Sequence, residues 1–170
     1  TEAAVTETER ETAGAVRSAH VAHFFAPDWA QTAQRASGAL ERSDRELAAP
    51  QLIVTVPDSV AALALARELR ALPAAVGLRV VPVTNATRGA RLIKAAPPHV
   101  VVGTPALLAE LLAASALKLA DVHTLVLAAA DEYDAHAEPL GALMAELPRG
   151  SARILTAAGP TPLVENLLER

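Results

Sequence analysis

The densest group of titratable side chains is Asp131, Glu132, Asp134 and His136. Oxygen donors at that spacing suit a hard divalent cation, and they equally suit a solvated loop at a strand end. His20 and His23 stand three apart, but on a strand that spacing sends side chains to opposite faces, which disfavours a shared metal. Arg79, Arg88, Arg91 and Lys94 form the main basic cluster, able to meet phosphate or an acidic partner, or simply to solvate a helix face. Thr104-Pro105 and Thr161-Pro162 each place a hydroxyl before proline, the arrangement that caps a helix and fills its first position. Thr104 can also touch a phosphate, although capping alone accounts for it. Phe24, Phe25 and Trp29 offer either a contact surface or core filling, and beside a strand core filling is the plainer reading.

The chain that must position these groups has 170 residues, of which 52% are hydrophobic and 20% charged, the profile of one globular domain. With 0 Cys there is no disulfide framework, thiolate metal cage or cysteine nucleophile. That composition is compatible with a reducing interior, so the cytoplasm is the expected compartment, an organelle after import being the other. A start at Thr1 without Met fits a fragment or a processed product. A net charge of −4 and a pI near 5.7 provide no global attraction to nucleic acid. An aromatic content of 2% leaves few rings for stacking unpaired bases. No apolar run is long enough to span a bilayer, so no membrane partner is expected.

From Gln51 onward, short apolar runs alternate with amphipathic segments, the pattern of β–α–β units that build a parallel sheet. Gln51 to Val56, Leu78 to Val83, His99 to Val102, Thr124 to Leu127 and Ala152 to Thr156 read as central strands buried on both faces. Ser59 to Leu72, Arg88 to Ala96, Pro105 to Ala113, Pro139 to Leu147 and Pro162 to Glu169 read as covering helices. Upstream, Glu7 to Arg17 reads as a helix, Val21 to Phe25 as an added strand, and Trp29 to Leu47 as a helix weakened at Ser37-Gly38. The expectation is an open, doubly wound α/β domain with a mostly parallel sheet of about six strands.

The run from Pro98 to Pro105, followed by Leu117 to Leu127, resembles the middle of the first RecA-like domain of DEAD-box RNA helicases. Pro50 to Pro57 is similar to the strand and proline that open that family's first RNA-contacting motif, and Ala152 to Pro160 resembles the strand carrying its Ser-Ala-Thr motif. The resemblance covers nearly the whole chain and implies one RecA-like domain over residues 1–170. A second RecA-like domain, which in that family completes the ATP site and supplies an arginine finger, has no counterpart in these residues.

At the positions where that resemblance implies catalysis, the residues differ in chemistry. A phosphate-binding loop needs glycines to free backbone N–H groups, a Lys for phosphate charge and a hydroxyl for Mg²⁺. Here the stretch is Ala26-Pro27-Asp28-Trp29-Ala30-Gln31-Thr32-Ala33, without glycine or lysine. Gln31 and Thr32 are remnants at most, Thr32 matching the hydroxyl only across a one-residue gap. Asp-Glu-Ala-Asp corresponds to Ala128-Ala129-Ala130-Asp131, leaving Asp131 as the remaining carboxylate. Ser-Ala-Thr becomes Thr156-Ala157-Ala158, and the adenine-reading Gln becomes Glu9, which when ionised cannot donate a hydrogen bond.

The RNA-contacting motifs differ too. Pro-Thr-Arg-Glu-Leu is matched by Pro57-Asp58-Ser59-Val60-Ala61, Thr-Pro-Gly-Arg by Thr104-Pro105-Ala106-Leu107, and a glycine pair by Thr84-Asn85. The reading that follows is a pseudo-helicase domain with a degenerate P-loop, no ATPase activity, no catalytic residues, and no cofactor or metal. It would serve as a scaffold or protein-interaction module within a larger assembly or a longer chain. The alternative is a residual RNA-binding domain using Thr104, Pro105, Arg88 and Arg91.

Overall fold

The structure, a computed structural model, describes residues 20–133 and 136–169. The expected helix Glu7 to Arg17, with Glu9 in it, lies outside the described residues, as does Asp134. Where Val, Ile and Leu run together the chain forms strands: β1 His20–Phe24, β2 Leu52–Thr55, β3 Val80–Pro82, β4 Val100–Gly103, β5 Thr124–Leu127 and β6 Ala152–Ala157. They make one sheet of order β1-β6-β5-β2-β4-β3 in which every pairing is parallel.

The helices are α1 Trp29–Arg35, α2 Ser37–Glu41, α3 Ser59–Ala71, α4 Ala86–Ala95, α5 Pro105–Ala113, α6 Ala137–Ala145 and α7 Pro162–Glu169. Alternation along β2 divides the core into two layers. Leu52 and Val54 join α1, α2 and α3 on one face, through side chains such as Ala33, Leu40 and Leu65. Ile53 joins α4 to α7 on the other, with Ile93, Leu108, Leu140 and Val164. This is the doubly wound architecture the alternation of runs predicts. Both expected caps form, Thr104 accepting from Leu107 N at 3.3 Å and Thr161 from Val164 N at 3.2 Å, and Asp58 caps α3, accepting from Ala61 N at 2.8 Å.

Leu78 to Val83 is not a central strand. The chain leaves β2 through α3, forms β3, then returns through α4 to lay β4 between β2 and β3, so β3 ends outermost with Val81 and Pro82 only half-buried. Trp29 to Leu47 is not one helix either. It divides at Ala36, next to the Ser37-Gly38 weakness, and stops at Glu41. Beyond that point the Ser43 hydroxyl bonds back to Ala39 O at 3.0 Å, and Leu47 is exposed.

A polar chain runs across the start of β5. Arg42 Nη2 donates to Thr124 Oγ1 at 3.3 Å, and Thr124 Oγ1 lies 2.8 Å from His123 Nδ1. His123 Nε2 lies 3.2 Å from Ser43 Oγ, which in turn donates to Ala39 O. With the proton on Nε2, every donor in the chain meets an acceptor. Protonating Nδ1 would set a second donor against Thr124 beside the Arg42 charge. Burial, and then the Arg42 guanidinium, hold the His123 pKa below its ordinary value. The unfolded chain therefore binds this proton more readily, so this contribution to stability is complete above about pH 6.5 and declines as pH falls toward the folded value. Thermal melts taken between about pH 8 and about pH 5 should lose part of their acid sensitivity in His123→Gln. An unchanged acid slope in that variant would remove His123 from the account.

Candidate functional site

The strand order sets the carboxyl ends of β1, β6 and β5 side by side, so the loop into α1 meets the segments that follow β5 and β6. In a parallel sheet this is where ligands are usually held. At the start of α1, Asp28 is the cap: its Oδ1 accepts from Gln31 N at 3.0 Å. Thr32, 2% exposed, spends its hydroxyl on Asp28 O at 2.8 Å. Trp29 lies half-buried against the core layer on that face.

The segment after β5 turns sharply at Ala129, whose φ of 52° is left-handed, a conformation that costs a residue with a Cβ roughly 1 kcal/mol. Its N–H donates to the buried Thr156 Oγ1 at 3.0 Å, and Asp131 Oδ1 accepts from Ala158 N at 3.2 Å. These two bonds bind the Ala128 to Asp131 segment to the end of β6. Tyr133, which the sequence reading did not single out, supports the turn from beneath. It is fully buried, donates to Ala128 O at 2.6 Å and lies 2.9 Å from Thr55 Oγ1. Since the phenol donates to Ala128, the Thr55 hydroxyl is the donor in the second contact. Burial drives the phenol pKa far above its ordinary value, outweighing the opposing hydrogen bonds to Thr55 and Ala128. Tyr133 is a neutral structural hydroxyl, not a proton carrier.

Asp131 and His136 do not converge on one point. Asp131 points to β6, whereas His136 Nε2 donates to Pro57 O at 3.0 Å after β2 and its ring meets Tyr133 edge-on at 6.2 Å. No group of three or more His, Asp or Glu side chains able to hold a metal occurs among the described residues. His20 and His23 both lie on β1.

Phe24 is 45% exposed at the end of an edge strand, so the core reading fails for it, while Trp29 does pack on the core. Thr104, 7% exposed, caps α5, and Pro105 is buried behind it. Arg88 and Arg91 are exposed on α4. The basic cluster divides. Arg79 and Arg88 line one groove with Arg70, which the sequence reading missed, and Lys94 lines another beside Lys118. Arg70 could have been found as the cation closing the helix before β3.

The all-parallel six-stranded sheet, wrapped by helices on both faces, is the RecA-like fold of DEAD-box domains. The fold is matched by a DEAD box protein from the hyperthermophile Methanococcus jannaschii, with a TM-score of 0.79 and 20% identity over 89% of this chain and 42% of that one. A Saccharomyces cerevisiae Dbp5 variant, solved bound to a Gle1 variant and IP6, matches with a TM-score of 0.74 and 17% identity, covering 89% of this chain and 39% of that one. Among curated proteins, the chain is similar to the DEAD-box ATP-dependent RNA helicase CshA of Geobacillus kaustophilus (strain HTA426), 29% identical over 135 residues. That match takes in 77% of this chain and 29% of the relative's length. No family model matches the chain.

Proposed function

We propose that this chain is a helicase-like RecA domain that has given up nucleotide binding and acts as a protein-interaction module. The observation that carries the proposal is the crevice bounded by Asp28, Trp29, Thr32, Ala129, Asp131 and Thr156, which encloses only about 10 Å³. That is no more than the room one water needs. Triphosphate and Mg²⁺ do not fit the residues present. The Asp28 carboxylate already takes the α1 amide that a phosphate would use and brings like charge to that place. The Thr32 hydroxyl is bound to the backbone, no lysine stands in the loop, and methyl groups occupy Ala128, Ala129 and Ala130.

Because phosphoryl transfer relies on positioning and charge stabilisation, loss of these groups together removes most of what the reaction needs. Titration calorimetry with ATP and Mg²⁺ should show no saturable heat, corresponding to a Kd weaker than about 1 mM. Saturable binding tighter than that would overturn the proposal. Among the described residues no helix is long and apolar enough to cross a membrane.

A further inference from the structure

A group of three arginines lies on the outer edge of the sheet, away from the crevice beside α1. A groove of about 330 Å³ runs along β3 between α3 and α4, with Arg70, Arg79 and Arg88 around it and no acidic residue in its lining. Part of its wall is apolar: Leu63 and Leu92 are 55% and 42% exposed, unusual values for leucines flanking a cleft. Gly89 lets α4 sit close to this edge, since a Cβ there would fall 2.8 Å from Val83 Cγ1.

The edge offers little to strand addition. Arg79 O and Val83 N are bonded to β4, so the backbone of Val80 and Pro82 faces outward. Pro82 has no N–H to offer, and Val80 O already accepts from Arg70 Nε at 3.1 Å and Nη2 at 2.6 Å. Recognition here falls to side chains. Arg79 and Arg88 are exposed, and their guanidinium groups make no hydrogen bond or ion pair with any described residue.

We propose that this groove docks an acidic peptide, its carboxylates meeting Arg79 and Arg88 and its apolar side chains lying on Leu63 and Leu92. Charge complementarity argues for it: a chain of net charge −4 keeps a cationic, acid-free groove here, where opposite charge fixes partner and orientation. Single-stranded nucleic acid suits the groove less well, because its lining contains no aromatic ring on which a base could stack. The inference rests on the interaction-module reading and names its surface and its partner's chemistry.

The test is fluorescence anisotropy on the whole chain with a short labelled peptide alternating Glu and Leu, compared with a Gln and Leu peptide and a labelled oligo-uridine. The Glu peptide should bind saturably and lose affinity as salt rises. Arg79→Glu combined with Arg88→Glu should weaken it by roughly tenfold or more, as expected when two exposed attractions become repulsions. Leu92→Asp should weaken it separately, and the double Arg→Gln variant serves if charge reversal shifts the thermal melt.

Equal affinity in the reversed variant, equal binding of the Gln peptide, no saturable binding tighter than about 1 mM, or displacement by a tighter-binding oligo-uridine would each overturn the assignment. An ATP titration on the same sample separates the two proposals. Saturation with ATP sinks the loss of nucleotide binding and leaves the groove standing, whereas a silent titration without peptide binding sinks only the groove.

Discussion

Tyr133→Ala should cost about 3–5 kcal/mol of folding stability, the range for removing a large buried aromatic ring. Tyr133 ranks among the largest fully buried side chains and packs in the layer formed with Leu125, Leu127 and Leu140. Tyr133→Phe keeps the ring and isolates the hydroxyl. It leaves Ala128 O without its donor and Thr55 without its acceptor at Tyr133, although Thr55 retains Val126 O at 3.2 Å. An expected loss of about 1–3 kcal/mol follows, because an unsatisfied buried group forfeits its solvation with nothing in return. Urea denaturation at constant m would measure both variants. A Phe variant as stable as the parent would show that the left-handed turn at Ala129 needs no support from below. In that event the two bonds to β6, at Thr156 and Ala158, would be sufficient to hold it.

Arg45→Ala should cost about 2–4 kcal/mol, far more than an ordinary surface arginine. Its Nη1 donates to Ser43 O at 2.7 Å and Leu40 O at 3.0 Å, while Nη2 reaches Ala74 O at 2.5 Å and Nε reaches Val76 O at 3.2 Å. One guanidinium thus joins the turn after α2 to the segment after α3. Gly77, at φ 82°, leaves room for the arginine stem, whose Cγ would meet a Cβ there at 3.1 Å. Buried His99 fastens the same corner: its Nδ1 accepts from Arg79 N at 2.9 Å, which leaves Nε2 to donate to Arg45 O at 3.1 Å.

Arg45→Lys should recover little of the loss, because one ammonium cannot span carbonyls that a planar fork reaches from three nitrogens. Chemical denaturation of the Ala and Lys variants checks this. A Lys variant close to the parent would reduce the clamp to a generic positive charge.

Much of the architecture was legible because it depends on local properties of the chain. Runs such as Leu52 to Thr55 and Val100 to Gly103 are buried on both faces and so lack a polar side, which marks them as parallel strands without knowledge of their neighbours. Asp58, Thr104 and Thr161 act on amides three residues away, so their role can be read in a short window. That Ala26 to Ala33 contains no lysine and Ala128 to Ala130 no carboxylate was equally visible, since side-chain chemistry is a fact of composition.

What sequence alone determined about this protein is therefore the alternation of elements, their caps and the side-chain chemistry along each segment. Tertiary structure alone decided that β3 would be an edge, because only the order β2-β4-β3 reveals that a later strand enters between two earlier ones. It also decided that Arg70 joins Arg79 and Arg88, and that Tyr133 reaches Thr55 across 78 residues of chain. Strand order and long-range contacts are set by the packing of two whole layers against one sheet, and no local window of residues contains that information.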